Sequence, residues 1–182
     1  WARGTYSSAF GPNSQATGTY SSAFGPSSRA NDYAVSMGNY AGYQNTAPRG
    51  MISIGHKAGA LAKPAYTSSL IESQVNIGVG AGMLATGNRN VNIGTVAGRK
   101  ATGSMNFYLG DAQGYYVTGN SNIGIGHIST TPGLANEESD PIDSSQWVRP
   151  LRPNVKASRT IGIGNDVMVT EDDPIAIGTN AA

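Results

Sequence analysis

GTYSSAFGPNSQAT at residues 4–17 is followed at once by GTYSSAFGPSSRAN at residues 18–31, and only three of the fourteen positions differ. A large apolar residue followed by glycine closes the first half of each unit, and this step recurs down the chain. The stations are Phe10-Gly11, Phe24-Gly25, Met37-Gly38, Ile54-Gly55, Ile77-Gly78, Ile93-Gly94, Leu109-Gly110, Ile125-Gly126, Ile163-Gly164 and Ile177-Gly178. They are separated by 14, 13, 17, 23, 16, 16, 16, 38 and 14 residues. A repeat of this length, interrupted twice, is the signature of stacked supersecondary units, none of which can enclose a core alone.

Two residues before each station lies a second recurrent position, and together the two form a column of pairs. These are Val35 with Met37, Ile52 with Ile54, Val75 with Ile77, Val91 with Ile93, Phe107 with Leu109, Ile123 with Ile125, Ile161 with Ile163 and Ile175 with Ile177, while Ser8 and Ser22 precede Phe10 and Phe24. Between the members of a pair stands mostly a small or polar residue such as Ala9, Ser36, Ser53, Asn76, Asn92 or Ala176. Alternation with period two means a short strand with one buried face, so the pairs are expected to point inward as continuous apolar ladders. A small residue recurs three places after the glycine, at Ser14, Ser28, Ala41, Ala58, Ala81, Ala97 and Ala181. A second element follows in Ala16-Thr17-Gly18, Ala85-Thr86-Gly87, Ala101-Thr102-Gly103 and Val117-Thr118-Gly119. It comes two residues later in the 16-residue units than in the 14-residue one, so one turn has grown while both strands are retained.

The composition supports this reading. There are 25 glycines in 182 residues, and Asp, Glu, Lys and Arg make up 13%, about half of ordinary usage. Glycine is costly in helices, and so much of it suits closely spaced turns. The net charge of +1 lacks the basic footprint of a nucleic-acid binder. The absence of cysteine removes disulfides and thiolate metal sites. No apolar run approaches the roughly 20 residues that span a bilayer, so no membrane insertion is expected. The sequence opens at Trp1 without Met or a signal-peptide pattern, as a fragment or processed product would.

The units SSAFGPNSQATGTY and SSAFGPSSRANDYA resemble the head repeats of trimeric autotransporter adhesins of the YadA-like type. The 16-residue units VNIGVGAGMLATGNRN and VNIGTVAGRKATGSMN are similar to repeats of bacteriophage tail fibres and tailspikes. The expected fold is all-β, a parallel β-roll or solenoid of about ten coils, roughly 48 Å long at about 4.8 Å per coil. The resemblance further implies a left-handed roll, three chains about one rod axis, and a role in attachment to a cell surface. Roll repeats are assigned to residues 1–128, with a small excursion at 61–74, an inserted loop at 129–160, and final repeats at 161–182. The leading reading is a structural rod of a phage tail fibre or tailspike on the virion. Its partners would be copies of itself, other tail or virion proteins, and bacterial surface polysaccharide. The alternatives are the head of a bacterial surface adhesin or part of a polysaccharide-degrading tailspike.

Chemical motifs are few, and no catalytic, cofactor or metal residues are assigned. Gly78-Val79-Gly80-Ala81-Gly82 and Gly124-Ile125-Gly126 lack the strand, helix and acidic residue of a dinucleotide site. His56 and His127 each follow a station glycine, several coils apart. The acidic groups Glu137, Glu138, Asp140 and Asp143, and Glu171, Asp172 and Asp173, lie in turn-like Asp-Pro contexts that explain them locally. Within the long insertion, QWVRPLRPNVKASR combines Trp147, Arg149, Leu151, Arg152, Lys156 and Arg159. An indole beside guanidinium groups suits a sugar ring and its acidic substituents, but packing of Trp147, Val148 and Leu151 against the roll or another chain is the favoured reading.

Overall fold

The computed structural model describes residues 1–46, 49–63, 73–127, 138–139, 147–148, 157–165, 167 and 172–179. In chain order the strands are β1 (Ser8–Phe10), β2 (Gln15–Ala16), β3 (Ser22–Phe24), β4 (Arg29–Ala30), β5 (Val35–Met37), β6 (Met51–Ile54) and β7 (Gln74–Ile77). They continue as β8 (Val91–Ile93), β9 (Phe107–Leu109), β10 (Ile123–Ile125), β11 (Glu138–Ser139), β12 (Trp147–Val148), β13 (Ile161–Ile163) and β14 (Ile175–Ile177). Every station contributes one strand to a single ten-stranded sheet in the order β1-β3-β5-β6-β7-β8-β9-β10-β13-β14. All its neighbours are parallel and in full repeat register, with Phe10 on Phe24, Ile54 on Ile77, Ile77 on Ile93 and Ile163 on Ile177. The chain is therefore an all-β parallel solenoid, and among the described residues it holds no helix.

The second element is thinner. β2 pairs with β4, and further along the rod single parallel bridges join Lys63 to Thr86, Thr86 to Thr102 and Thr102 to Thr118. Glycine directly after each of these threonines limits the element to a residue or two.

The direction of the strand faces overturns the expectation for the apolar pairs. The middle residue of each strand points into the coil, where Ala23, Ser36, Ser53, Asn76, Asn92, Tyr108 and Gly124 are buried. The flanking pairs, from Phe10 through Val35 and Met37 to Ile175 and Ile177, point out, and none of them is buried in the chain. The physical reason is the narrowness of the coil. Ala16, Ala23 and Ala30 are fully buried in it at one end. At Gly82 and Gly98, with φ of 61° and 60°, an added Cβ would overlap the side-chain amides of Asn76 and Asn92. Two branched side chains per coil have no room in such an interior. Where a large residue does enter, at Tyr108, glycines at 114 and 124 clear the space around its ring, and burial pushes its phenol well above the ordinary range.

Much of the interior is polar and is cross-linked along the rod. The Asn90, Asn106 and Asn122 side chains donate to the carbonyls of Gly103, Gly119 and Ala157 at 2.9, 3.0 and 2.8 Å. Each also accepts from the backbone N–H of its equivalent in the next coil: Asn106 to Asn90 at 3.0 Å, Asn122 to Asn106 at 3.0 Å, and Thr160 to Asn122 at 3.2 Å. Each amide thus supplies partners to groups that the turns leave outside the strand ladder. The last step of this chain crosses the long insertion, so coil stacking resumes as though the insertion were absent.

Asn122→Ala would leave the Ala157 carbonyl and the Thr160 N–H without partners in the interior, at a cost of about 3 kcal/mol. Denaturant titration of the variant checks this, and a loss below about 1 kcal/mol would sink the clamp.

Candidate functional site

Register turns the outward pairs into a continuous surface. One column runs Ser8, Ser22, Val35, Ile52, Val75, Val91, Phe107, Ile123, Ile161, Ile175, and the other Phe10, Phe24, Met37, Ile54, Ile77, Ile93, Leu109, Ile125, Ile163, Ile177. The strip is two residues wide and about 43 Å long at the usual strand spacing. Apart from Ser8 and Ser22 every member is apolar, and none is charged. Phe10 is 63% exposed, and Ile175 and Ile177 are 66% and 67% exposed. Scattered exposed hydrophobics need no explanation, but a contiguous charge-free strip along the whole rod marks an interaction surface. Within the strip Phe10 and Phe24 stack with ring centroids 5.2 Å apart.

The corner beside the second element carries another column. Tyr6, Tyr20 and Tyr33 stack at 5.1 and 5.7 Å with left-handed φ of 56°, 52° and 53°. Their mutual stacking helps to offset a conformation that is unfavourable for residues of this bulk.

Of the residues singled out in the insertion, Arg159 and the backbone of Trp147 are among those described. Trp147 lies in β12, whose backbone pairs antiparallel with β11 through Ser139↔Trp147 and Glu138↔Val148, the one antiparallel pairing among the described strands. Arg149, Leu151, Arg152 and Lys156 fall outside the described residues, as do Glu137, Asp140, Asp143 and Glu171. Arg159 is engaged with the next coil: its Nε donates to Asp173 Oδ1 at 2.5 Å and its Nη2 to Asp173 Oδ2 at 2.9 Å. That pairing holds the Asp173 carboxyl below its ordinary range, first through the hydrogen bond and then through the guanidinium charge. Asp172 accepts from the Ser158 N–H at 2.8 Å. These acids are thus accounted for by coil-to-coil contacts.

The two histidines occupy equivalent turn positions, with three coils between them, and His127 Nδ1 lies 3.4 Å from Asp111 Oδ2. No cluster of three or more His, Cys, Asp or Glu residues occurs among the described residues. Gly78, Gly80 and Gly82 lie on the turn packed against the following coil.

Fold and strip together define a repeat solenoid with an outward apolar face. Residues 2–28, which carry β1, β2 and β3, match the family model of the YadA head domain repeat in two copies. That segment is similar to a YadA head repeat, and the later strands continue its stacking in register. No curated protein and no solved structure matches the chain.

Sequence reasoning found both columns but assigned them to the wrong side. The signal that points the right way is residue size: apart from Tyr108, the strand midpoints hold only Ala, Ser, Gly and Asn, which suit a thin coil. An Ile93→Asp variant therefore retains the β-rich circular dichroism of the parent chain while losing self-association. Collapse of the fold in that variant would show that the ladder belongs to the interior of the chain.

Proposed function

We propose that the chain is a structural and adhesive rod module that works as a homotrimer, its apolar strips meeting along a common axis. The observation that carries this reading is the uninterrupted, charge-free double column of outward residues. Such a strip is unfavourable in water, and a threefold arrangement lets each strip meet two copies of itself without opposing any like charges. Because all coils rise in register, copies related by the axis would meet coil to coil, Ile93 beside Ile93 and Phe10 beside Phe10. The match of residues 2–28 to a YadA head repeat supports an adhesin-type, surface-exposed role.

Within that role the module would space or present host-receptor binding in a phage tail fibre or tailspike, a reading supported by the likeness of the 16-residue coils to repeats of such fibres. Its further partners would then be other tail or virion proteins. The second reading, the head of a bacterial trimeric adhesin, is favoured by the matched segment itself. In both, the work is mechanical: a rigid rod displays its flanks and its one long insertion to a surface.

Sedimentation equilibrium of the chain is expected to give three times its 18.7 kDa mass. A stable monomer at micromolar concentration would overturn the trimer. Gold-labelled antibodies against the chain should decorate phage tails on the first reading and the cell envelope on the second; label on neither would end both.

A further inference from the structure

Arg99 and Arg159 form a contrast within one molecule. In Arg159 the side-on fork, Nε with Nη2, is filled by the two carboxylate oxygens of Asp173. Arg99 presents the same two donors, but it is only 2% exposed, and neither Nε nor Nη2 meets an acceptor. The residue lies in a column between Met83 and Tyr115, as the bonds from the Lys100 N–H to the Met83 carbonyl and from the Tyr116 N–H to the Arg99 carbonyl show. Neither neighbour is an acid. In residues 73–127 the basic groups are Arg89, Arg99 and Lys100, and the one acid, Asp111, stands against His127.

The guanidinium borders a glycine of the preceding coil at its Nη1 edge. Gly80 in the preceding coil lacks a side chain, and a Cβ built there would find only Val96 Cγ1 at 3.4 Å and Arg99 Nη1 at 4.0 Å. Tyr115 packs with Ala112, Val96 and Tyr116, and its ring meets that of Tyr116 edge-on at 4.7 Å. Its phenol is pushed up to about 12 by burial, against the opposing pull of the Arg99 charge. Lys100 Nζ donates to Tyr116 Oη at 2.7 Å and lies 4.8 Å from the Tyr116 ring centroid. A buried guanidinium without an acceptor is costly, and its fork geometry matches two oxygens on one atom.

We propose that Arg99 is an oxyanion-binding site whose side-on fork takes the two oxygens of a carboxylate or phosphate group, either borne by an anionic polysaccharide or free in solution. This rests on the attachment reading and deepens it by naming the ligand chemistry, and it places the site within the regular coils. Thr102 follows three residues on in the same coil, in a row of hydroxyls with Thr86 and Thr118.

The test uses the whole 182-residue chain and follows its melting temperature and calorimetric binding at constant ionic strength, with chloride as the balancing anion. Inorganic phosphate and galacturonate should each give saturable binding and a rise in melting temperature in the native chain. Arg99→Met should abolish both responses. Arg99→Lys, whose ammonium cannot form the fork, should bind at least about tenfold more weakly. Circular dichroism checks that the variants fold, and the lysine variant decides the matter if the methionine variant does not. Oligogalacturonate binding more tightly than galacturonate assigns the acid to a polysaccharide, and equal affinity per acid group assigns it to a free anion. The absence of any saturable response in the native chain, or the same response in Arg99→Met, overturns the site. Trimer mass in sedimentation is read separately, so loss of the anion site leaves the rod reading standing and loss of the trimer leaves the anion result interpretable.

Discussion

The interior of each coil is narrow beneath the long sheet, so that small residues and asparagine hold most of the strand midpoints and a large one such as Tyr108 enters only where glycines clear the space, and much of the rest of the protein follows from that dimension. Backbone crowds side-chain amides where Gly82 and Gly98 face Asn76 and Asn92. With no room for branched side chains, the chain cannot place its Ile, Val, Leu and Phe residues where a globular domain would. It holds itself together instead by parallel strand hydrogen bonds and by the asparagine clamps that join Asn90, Asn106, Asn122 and Thr160. Amides serve this purpose because each can both donate and accept, giving the turn carbonyl and the next N–H a partner at once.

The displaced apolar residues then become the working surface. A strip of two columns, repeated by an unbroken parallel register, is as regular as the backbone that carries it. From Val35 onward apolar residues stand on apolar residues along the rod, so the surface has a uniformity that a mixed patch does not. The burial missing from the interior of one chain is thereby available between chains, which is the physical basis of the proposed trimer.

Interruptions of the repeat have little effect on the stack. β13 pairs with β10 in full register although the chain leaves the coil between them, and the Asn122 clamp spans the same gap. A β-solenoid tolerates such excursions because each coil depends only on its two neighbours. The antiparallel pairing of β11 with β12 shows that the excursion follows a pairing rule of its own. Arg159, at its far end, returns to the repeat by binding Asp173.

The repeat length, the strand positions, the parallel stacking and the register were all legible in the chain alone. The near-identity of residues 4–17 and 18–31, and the ten apolar-glycine steps, admit few other arrangements. Period two also puts Val91 and Ile93 on one face of their strand, but alternation cannot say which face is inside. That choice depends on the distance between the two sides of the coil, a tertiary quantity, and it placed Val91 and Ile93 outside with Asn92 within. The same distance left Arg99 buried without an acceptor while Arg159, with the same side chain, found Asp173 one coil away. Local sequence determined which residues line up; only the closeness of the folded layers decided which of them face each other and which face outward.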